Sequence, residues 1–283
     1  MRPADDVRIR CHELAPAIGD LKANLALIRE AIADAVSAGV ELLILPELAT
    51  SGYYLRDCTE ARASSISAQH PVFAEWSELL ASAPVTGGMT LVVGFAETES
   101  DSGPVYNSAA IVTASGVAAI YRKTHLWGAE PDIFSAGDTA PPVIDTPVGR
   151  LGVLVCYDVE FPEMPRSLAL AGAEIIAVPT NWPASPYPAG EHPPELAQAM
   201  AAARASCIVI ACCDRSGSER GYDWTEGTGI AGTDGWLLGT KDAEGRVDAL
   251  VTISPTAAQW GARNNAITDR RPALYSGLLT GRA

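Results

Sequence analysis

Basic residues are scarce in this chain: 20 Lys and Arg stand against 34 Asp and Glu over 283 residues, a net charge of −14. A nucleic-acid partner requires a basic face to neutralise phosphates, so this balance argues against one. Long apolar runs are missing as well. No stretch approaches the roughly 18 residues that cross a bilayer, and Met1 to Asp20 lacks the basic segment, apolar core and cleavage site of an export signal. The expectation is a cytoplasmic protein that stays off the membrane. The six cysteines, Cys11, Cys58, Cys156, Cys207, Cys212 and Cys213, include no Cys-x-x-Cys pair and no Cys/His ligand spacing. This opposes a disulfide framework and a structural zinc site, so no metal is expected. Ser/Gly linkers, repeats of fixed period and charge blocks are absent too, which favours one domain over residues 1–283.

What the chain does have is apolar mass: 48% of residues are hydrophobic and only 19% charged, against roughly 25% charged in an average soluble protein. Leu21, Leu25, Ile28, Ile32 and Val36 recur at helical spacing, and Gly39 closes that helix. Helices also fit Val72–Ala81, Glu163–Ala171 and Glu195–Ser206. Val40–Leu45 reads as a continuous apolar strand of the kind buried on both faces. Further strands fit 7–12, 91–96, 109–113, 117–122, 151–156, 174–179, 208–213 and 247–253. Strands interleaved with helices and with short hairpins indicate an α/β protein with mixed sheets, and two packed sheets covered by helices accommodate that number of strands.

Three of these strands deliver a reactive group at their carboxyl ends, where ligand sites lie in open α/β sheets. Leu42–Leu45 runs through Pro46 into Glu47; a carboxylate brought there enters a dehydrated space that raises its pKa and suits it to act as a base. A loop cap is the plainer alternative. Leu151–Val155 ends at Cys156, followed by Tyr157, Asp158 and the Pro162-Glu163 helix start. That elbow places sulfur near a helix N-terminus, which favours thiolate. Ala119–Arg122 ends at Lys123, where a solvated lysine is the default. Taken together, the three supply a general base, a nucleophile and an oxyanion stabiliser. His125 offers a competing partner for Cys156, in an arrangement that leaves Glu47 and Lys123 without a role.

These segments resemble the nitrilase superfamily of carbon–nitrogen hydrolases. The motifs are Leu45-Pro46-Glu47 with Ser51-Gly52-Tyr53, Tyr121-Arg122-Lys123-Thr124-His125-Leu126, and Gly152 to Asp158 with Phe161-Pro162-Glu163. The likeness continues through Glu130, Phe134 and Gly137, through Pro179-Thr180-Asn181-Trp182, and to Arg271-Pro272-Ala273-Leu274-Tyr275. It implies a four-layer α-β-β-α sandwich that associates as a homodimer or higher homo-oligomer, with a tail from about residue 255 contributing to contacts between copies. It also implies a Glu-Lys-Cys triad with Glu47 as base, Lys123 as oxyanion stabiliser and Cys156 as nucleophile. Glu130 would support the lysine, and the backbone N–H of Tyr157 would be the second oxyanion donor. Tyr53, Asn181 and Trp182 are the expected substrate contacts.

The implied reaction converts an amide into a carboxylic acid and ammonia without a cofactor. Nitriles and N-carbamoyl compounds are the alternatives, and Tyr157-Asp158 after the cysteine resembles the amidase branches. The segment Asp214–Gly221 is also similar to one in those branches and is placed at the pocket wall. Arg204-Ala205-Ser206-Cys207 departs from the family's pattern, which leaves the substrate branch open. A catalytically silent binding protein of the same fold is the alternative of a different class. Gly227-Thr228-Gly229-Ile230-Ala231-Gly232 spells a dinucleotide fingerprint, but the turn Thr233-Asp234-Gly235 follows where a helix is required, so a Gly-rich strand or turn is expected.

Overall fold

The structure is a computed structural model that describes residues 6–100, 102–254, 258–260 and 262–275. Strand β1 (Asp6–His12) leads into α1 (Leu21–Ser37) and then β2 (Leu42–Ile44). Asp20 caps α1 by accepting the Ala23 N–H at 3.0 Å, and Gly39, at φ +67°, lets the chain turn back toward the sheet. After α2 (Cys58–Ala63) and α3 (Val72–Ala81) come β3 (Thr90–Thr98), β4 (Val105–Thr113) and β5 (Gly116–Arg122). The second half contains β6 (Val143–Thr146), β7 (Gly149–Val153), α4 (Glu163–Leu170), β8 (Ile175–Pro179), α5 (Pro194–Ser206) and β9 (Val209–Cys213). A hairpin of β10 (Ser218–Glu219) and β11 (Tyr222–Asp223) precedes β12 (Gly229–Ala231), β13 (Leu237–Leu238) and β14 (Arg246–Thr252).

The strands form two six-stranded mixed sheets, ordered β14-β1-β2-β3-β4-β5 and β13-β12-β9-β8-β7-β6. Strand β14 returns to pair antiparallel with β1, so the last long strand completes the first sheet. The alternation of side chains along β2 assigns its two faces. Leu42 and Ile44 join the core shared by the two sheets, whereas Leu43 packs with Ile28 and Ile32 of α1 and Trp76 of α3. On the other sheet, Leu168 of α4 and Leu196, Ala199 and Ala203 of α5 cover the outer face. The result is the α-β-β-α sandwich.

Two strands are shorter than the apolar pattern implies. The run 40–45 pairs as a strand only over Leu42–Ile44, and the run toward Cys156 stops at Val153 because the chain turns sharply at the cysteine. The glycine-rich segment forms β12, antiparallel to β9, as a strand rather than the start of a helix. The tail expected to contribute to contacts between copies falls partly outside the described residues. No helix of the described chain is long and apolar enough to cross a membrane.

Candidate active site

Glu47 leaves the end of β2 under close backbone control. Its neighbours are pinned to β3 by Leu45 N–H to Val92 C=O at 2.9 Å, Gly94 N–H to Pro46 C=O at 3.1 Å and Ala49 N–H to Gly94 C=O at 2.9 Å. Only glycine allows this approach: a Cβ on Gly94 would fall 2.5 Å from the Cα of Glu47 and 2.5 Å from the nitrogen of Leu48. Lys123 is fixed by its own N–H, which donates to Asn107 C=O at 2.8 Å, and by its carbonyl, which accepts from Gly137 N–H at 2.8 Å. Arg122 beside it is clamped by both oxygens of Glu97, at 2.9 and 2.6 Å.

Cys156 sits on the elbow expected, with φ +47°, at the start of a 3-10 turn spanning Cys156–Glu160. Asp158 holds that elbow. Its fully buried carboxylate accepts from Val155 N–H at 3.2 Å, Tyr121 OH at 2.9 Å, Thr124 OH at 3.0 Å and His125 N–H at 3.0 Å. The cysteine turn and the segment following Lys123 are thereby tied into one unit. The His125 ring is drawn into the same frame, with Nδ1 2.7 Å from Asp158 and the ring stacked on Phe161 at 3.9 Å.

The centre of the site is the Lys123 ammonium, which donates to Oε1 of Glu47 at 2.8 Å and to Oε1 of Glu130 at 2.8 Å. All three side chains are buried. The Asn107 amide spans the same two oxygens, at 2.7 and 3.2 Å, and the second oxygen of Glu130 accepts from Trp127 N–H at 2.7 Å. Glu47 Oε2 has no hydrogen-bond partner. Lys123 has three N–H donors and uses two of them on carboxylates, which leaves one for a developing oxyanion.

Burial drives the electrostatics. It raises Glu47 to about 7 against the opposing pull of Lys123, so the carboxylate titrates near neutrality as a base should. Burial also pulls the Lys123 ammonium down, but Glu47 and Glu130 outweigh it and hold the group well above the ordinary lysine value. The thiolate expectation for Cys156 is corrected. Burial and the Glu47 charge push the thiol well above its usual value, Lys123 only partly offsets them, and α4 begins seven residues later, at Glu163. The resting cysteine is a thiol, whose weak hydrogen bond goes to the Asn181 backbone carbonyl at 4.0 Å.

The other expected contacts differ in what they do. Tyr53 is buried with its hydroxyl beside Glu130, which together with burial raises its pKa well above the ordinary value. Asn181 spends its side-chain N–H on the backbone carbonyl of Glu47 at 2.8 Å, while its own carbonyl lies 4.0 Å from the Cys156 sulfur. Trp182 is buried and its backbone N–H donates to Asp214 at 3.0 Å. Tyr157 is half-buried and meets Phe161 edge-on at 4.9 Å.

Residues of the 214–221 segment, with Trp224, which the sequence did not single out, complete the frame. Asp214 also accepts from Arg215 N–H and Gly227 N–H, each at 2.9 Å, and burial raises it to about 7. Glu219 accepts the backbone N–H groups of Tyr53, at 3.1 Å, and Tyr54, at 2.9 Å, and is itself paired with buried Arg215. Trp224 packs edge-on against Tyr53 at 5.4 Å. The hairpin that follows β9 thus buttresses the Tyr53 loop. Among the described residues no group of three or more His, Cys, Asp or Glu is arranged to hold a metal ion.

The sequence pattern of the family described as carbon-nitrogen hydrolase matches residues 8–260. The chain belongs to that family. This hydrolase is 31% identical over 279 residues to a probable nitrilase of Schizosaccharomyces pombe, covering 96% of this chain and 98% of that one. It is 37% identical over 181 residues to an (R)-stereoselective amidase of Pseudomonas sp., covering 64% and 62%. Its fold matches the crystal structure of an amidase from Nesterenkonia sp. with a TM-score of 0.78 at 27% identity, covering 99% of this chain and 98% of that one. A glutamate-to-leucine variant of that amidase carries the acetamide moiety of fluoroacetamide covalently on its active-site cysteine (TM-score 0.77, 26% identity, 98% and 99% covered). This hydrolase is accordingly amidase-like, and its chemistry is that of a cysteine nucleophile.

Proposed function

We propose that this enzyme hydrolyses a small-molecule carboxylic amide to the acid and ammonia through a thioester on Cys156, with Glu47, Lys123 and Cys156 as its triad. The observation that carries the reading is the buried Glu47–Lys123–Glu130 arrangement, which leaves one lysine N–H and one glutamate oxygen unspent beside a protonated thiol.

In the first half-reaction Glu47 Oε2 takes the thiol proton as sulfur bonds to the carbonyl carbon. The oxygen becomes anionic and is held by the third N–H of Lys123 and by the backbone N–H of Tyr157. Collapse of the tetrahedral species breaks the C–N bond, and protonated Glu47 delivers its proton to the departing nitrogen. In the second half Glu47 removes a proton from water as that water attacks the thioester. Carboxylic acid leaves and the thiol recovers its proton. Glu130 keeps the lysine in place, and Tyr53, Asn181 and Trp182 line the acyl side.

An amide is favoured over a nitrile by Tyr157 and Asp158 after the cysteine. The finer expectations, one domain acting as a homodimer in the cytoplasm, belong to the same proposal; the six free cysteines support the reducing compartment. Ammonia release from a panel of primary amides, carbamoyl compounds and nitriles tests the reading, with wild type beside Cys156→Ala. Amide turnover that disappears in the variant is the expected result. Preference for nitriles would overturn the substrate class, and turnover by Cys156→Ala would overturn the mechanism.

A further inference from the structure

Asn107 lies in the interior of β4, 1% exposed, and touches three members of the site at once. Its side-chain N–H group donates to Oε1 of Glu47 at 2.7 Å and Oε1 of Glu130 at 3.2 Å, while its backbone carbonyl accepts the Lys123 N–H at 2.8 Å. Two donors, Lys123 Nζ and Asn107 Nδ2, therefore face the same two carboxylate oxygens in a closed four-atom ring.

The orientation of the amide is dictated by chemistry. Turned over, it would set its carbonyl oxygen against two carboxylate oxygens, acceptor against acceptor. With the donor inward, one oxygen of Glu47 accepts from both the lysine and the amide, and the other has no partner. The lysine alone cannot enforce this division, because a carboxylate facing a single ammonium can rotate to share either oxygen.

We propose that Asn107 is the positioning residue of the base: its amide fixes which oxygen of Glu47 faces the thiol proton and helps to keep that carboxylate ionised. The assignment rests on reading Glu47 as the general base. The charged and titratable groups that face Glu47 are Lys123 from the end of β5, Glu130 from the 3-10 turn Glu130–Asp132, Cys156 from the elbow and Tyr53 from the loop that follows Glu47. Among these, Glu130 and burial disfavour the ionised base, whereas Lys123 and the neutral Asn107 donor favour it. Removing the amide donor leaves one stabilising cation against the same opposing forces, so the base becomes harder to ionise.

The test is the pH profile of kcat and kcat/KM for Asn107→Leu, which is close in volume and lacks the donor, with Asn107→Ala as a second variant. Normalisation to the fraction of enzyme acylated on the cysteine removes any effect of partial misfolding, and the position of an acid limb does not depend on how much protein is active. The expected result is an acid limb displaced upward by about one pH unit, with a loss of about fivefold at pH 7, approaching tenfold at lower pH, that recovers at alkaline pH while KM changes little. An acid limb in the wild-type position, with activity lowered evenly at every pH, would overturn the assignment and leave Asn107 a packing residue. Retained activity in Glu47→Gln would instead remove the base reading, and the assignment with it.

Discussion

The Lys123 ammonium lies 2.8 Å from one oxygen of Glu47, both side chains fully buried, and the other oxygen of that carboxylate is left without a partner. In the proposed reaction the same contact organises the proton acceptor and the oxyanion donor. Lys123→Ala removes a preorganised donor, which costs about 10²–10³ in kcat. It also leaves two carboxylates buried without their cation, a loss of about 3–5 kcal/mol. Steady-state kinetics and denaturant titration check the two effects separately. His125→Ala, whose ring is committed to Asp158, retains most of the activity; if it abolished turnover while Lys123→Ala did not, a Cys–His mechanism would replace the triad.

Glu47, raised to about 7 by burial, must be ionised to accept the thiol proton. Activity therefore rises with pH through neutrality along a limb belonging to the coupled Glu47–Lys123–Glu130 group. A kcat/KM profile that stays flat from pH 5 to 8 would contradict the assignment of the base.

Glu160, half-buried beside Glu195, is also raised to about 7, first by burial and then by that neighbour. The sign for stability follows from linkage. The folded protein holds this proton up to about 7 while the unfolded chain releases it near 4.5, so the stability that Glu160 contributes is complete below 4.5 and disappears as pH rises through 7. Glu160→Gln has no such loss. Its melting temperature relative to wild type should climb between pH 4.5 and pH 7.5, as measured by thermal denaturation across that range; a constant difference would place the group at an ordinary pKa.

Gly94 gives a steric test of how tightly the base is held. A methyl group there meets the backbone of Glu47 and Leu48 at 2.5 Å, so Gly94→Ala must push the loop that carries Glu47 away from β3. A displacement of about 1 Å costs on the order of 10²-fold in rate. The expected signature is a drop in kcat much larger than the change in KM.

Glu219 and Arg215 form a buried pair that holds the Tyr53 loop through two backbone N–H groups. Removing one partner, as in Glu219→Ala, leaves the Arg215 charge uncompensated and costs about 3–5 kcal/mol. Urea unfolding of that variant measures it, and a change under about 1 kcal/mol would show the pair to be replaceable by solvent.

Glu47, Lys123 and Cys156, the proposed triad, could be picked out because each follows an apolar strand, and the rule that places sites at strand carboxyl ends turns three scattered residues into one location. Asn107 was not. It lies inside β4, in a polar stretch just before the apolar run that marked the strand, and only the pairing of β4 with β5 brings its amide to two glutamates 60 and 23 residues away. Asp158 was read only as a mark of substrate branch, because nothing local in Cys-Tyr-Asp discloses that its carboxylate reaches back to Tyr121, Thr124 and His125. The thiolate expectation failed for a related reason. Sequence spacing places a helix start near the sulfur, but full burial beside a carboxylate is a property of the assembled site.

The most direct test of the central claim is intact-protein mass spectrometry of the wild type, acid-quenched during turnover of a primary amide that it hydrolyses. Because Glu47 serves both half-reactions, the account predicts a mass gain equal to the acyl group, located on Cys156 by peptide mapping and absent from both Cys156→Ala and Glu47→Gln. An acyl group on a different residue, or hydrolysis that continues in Cys156→Ala, would contradict it.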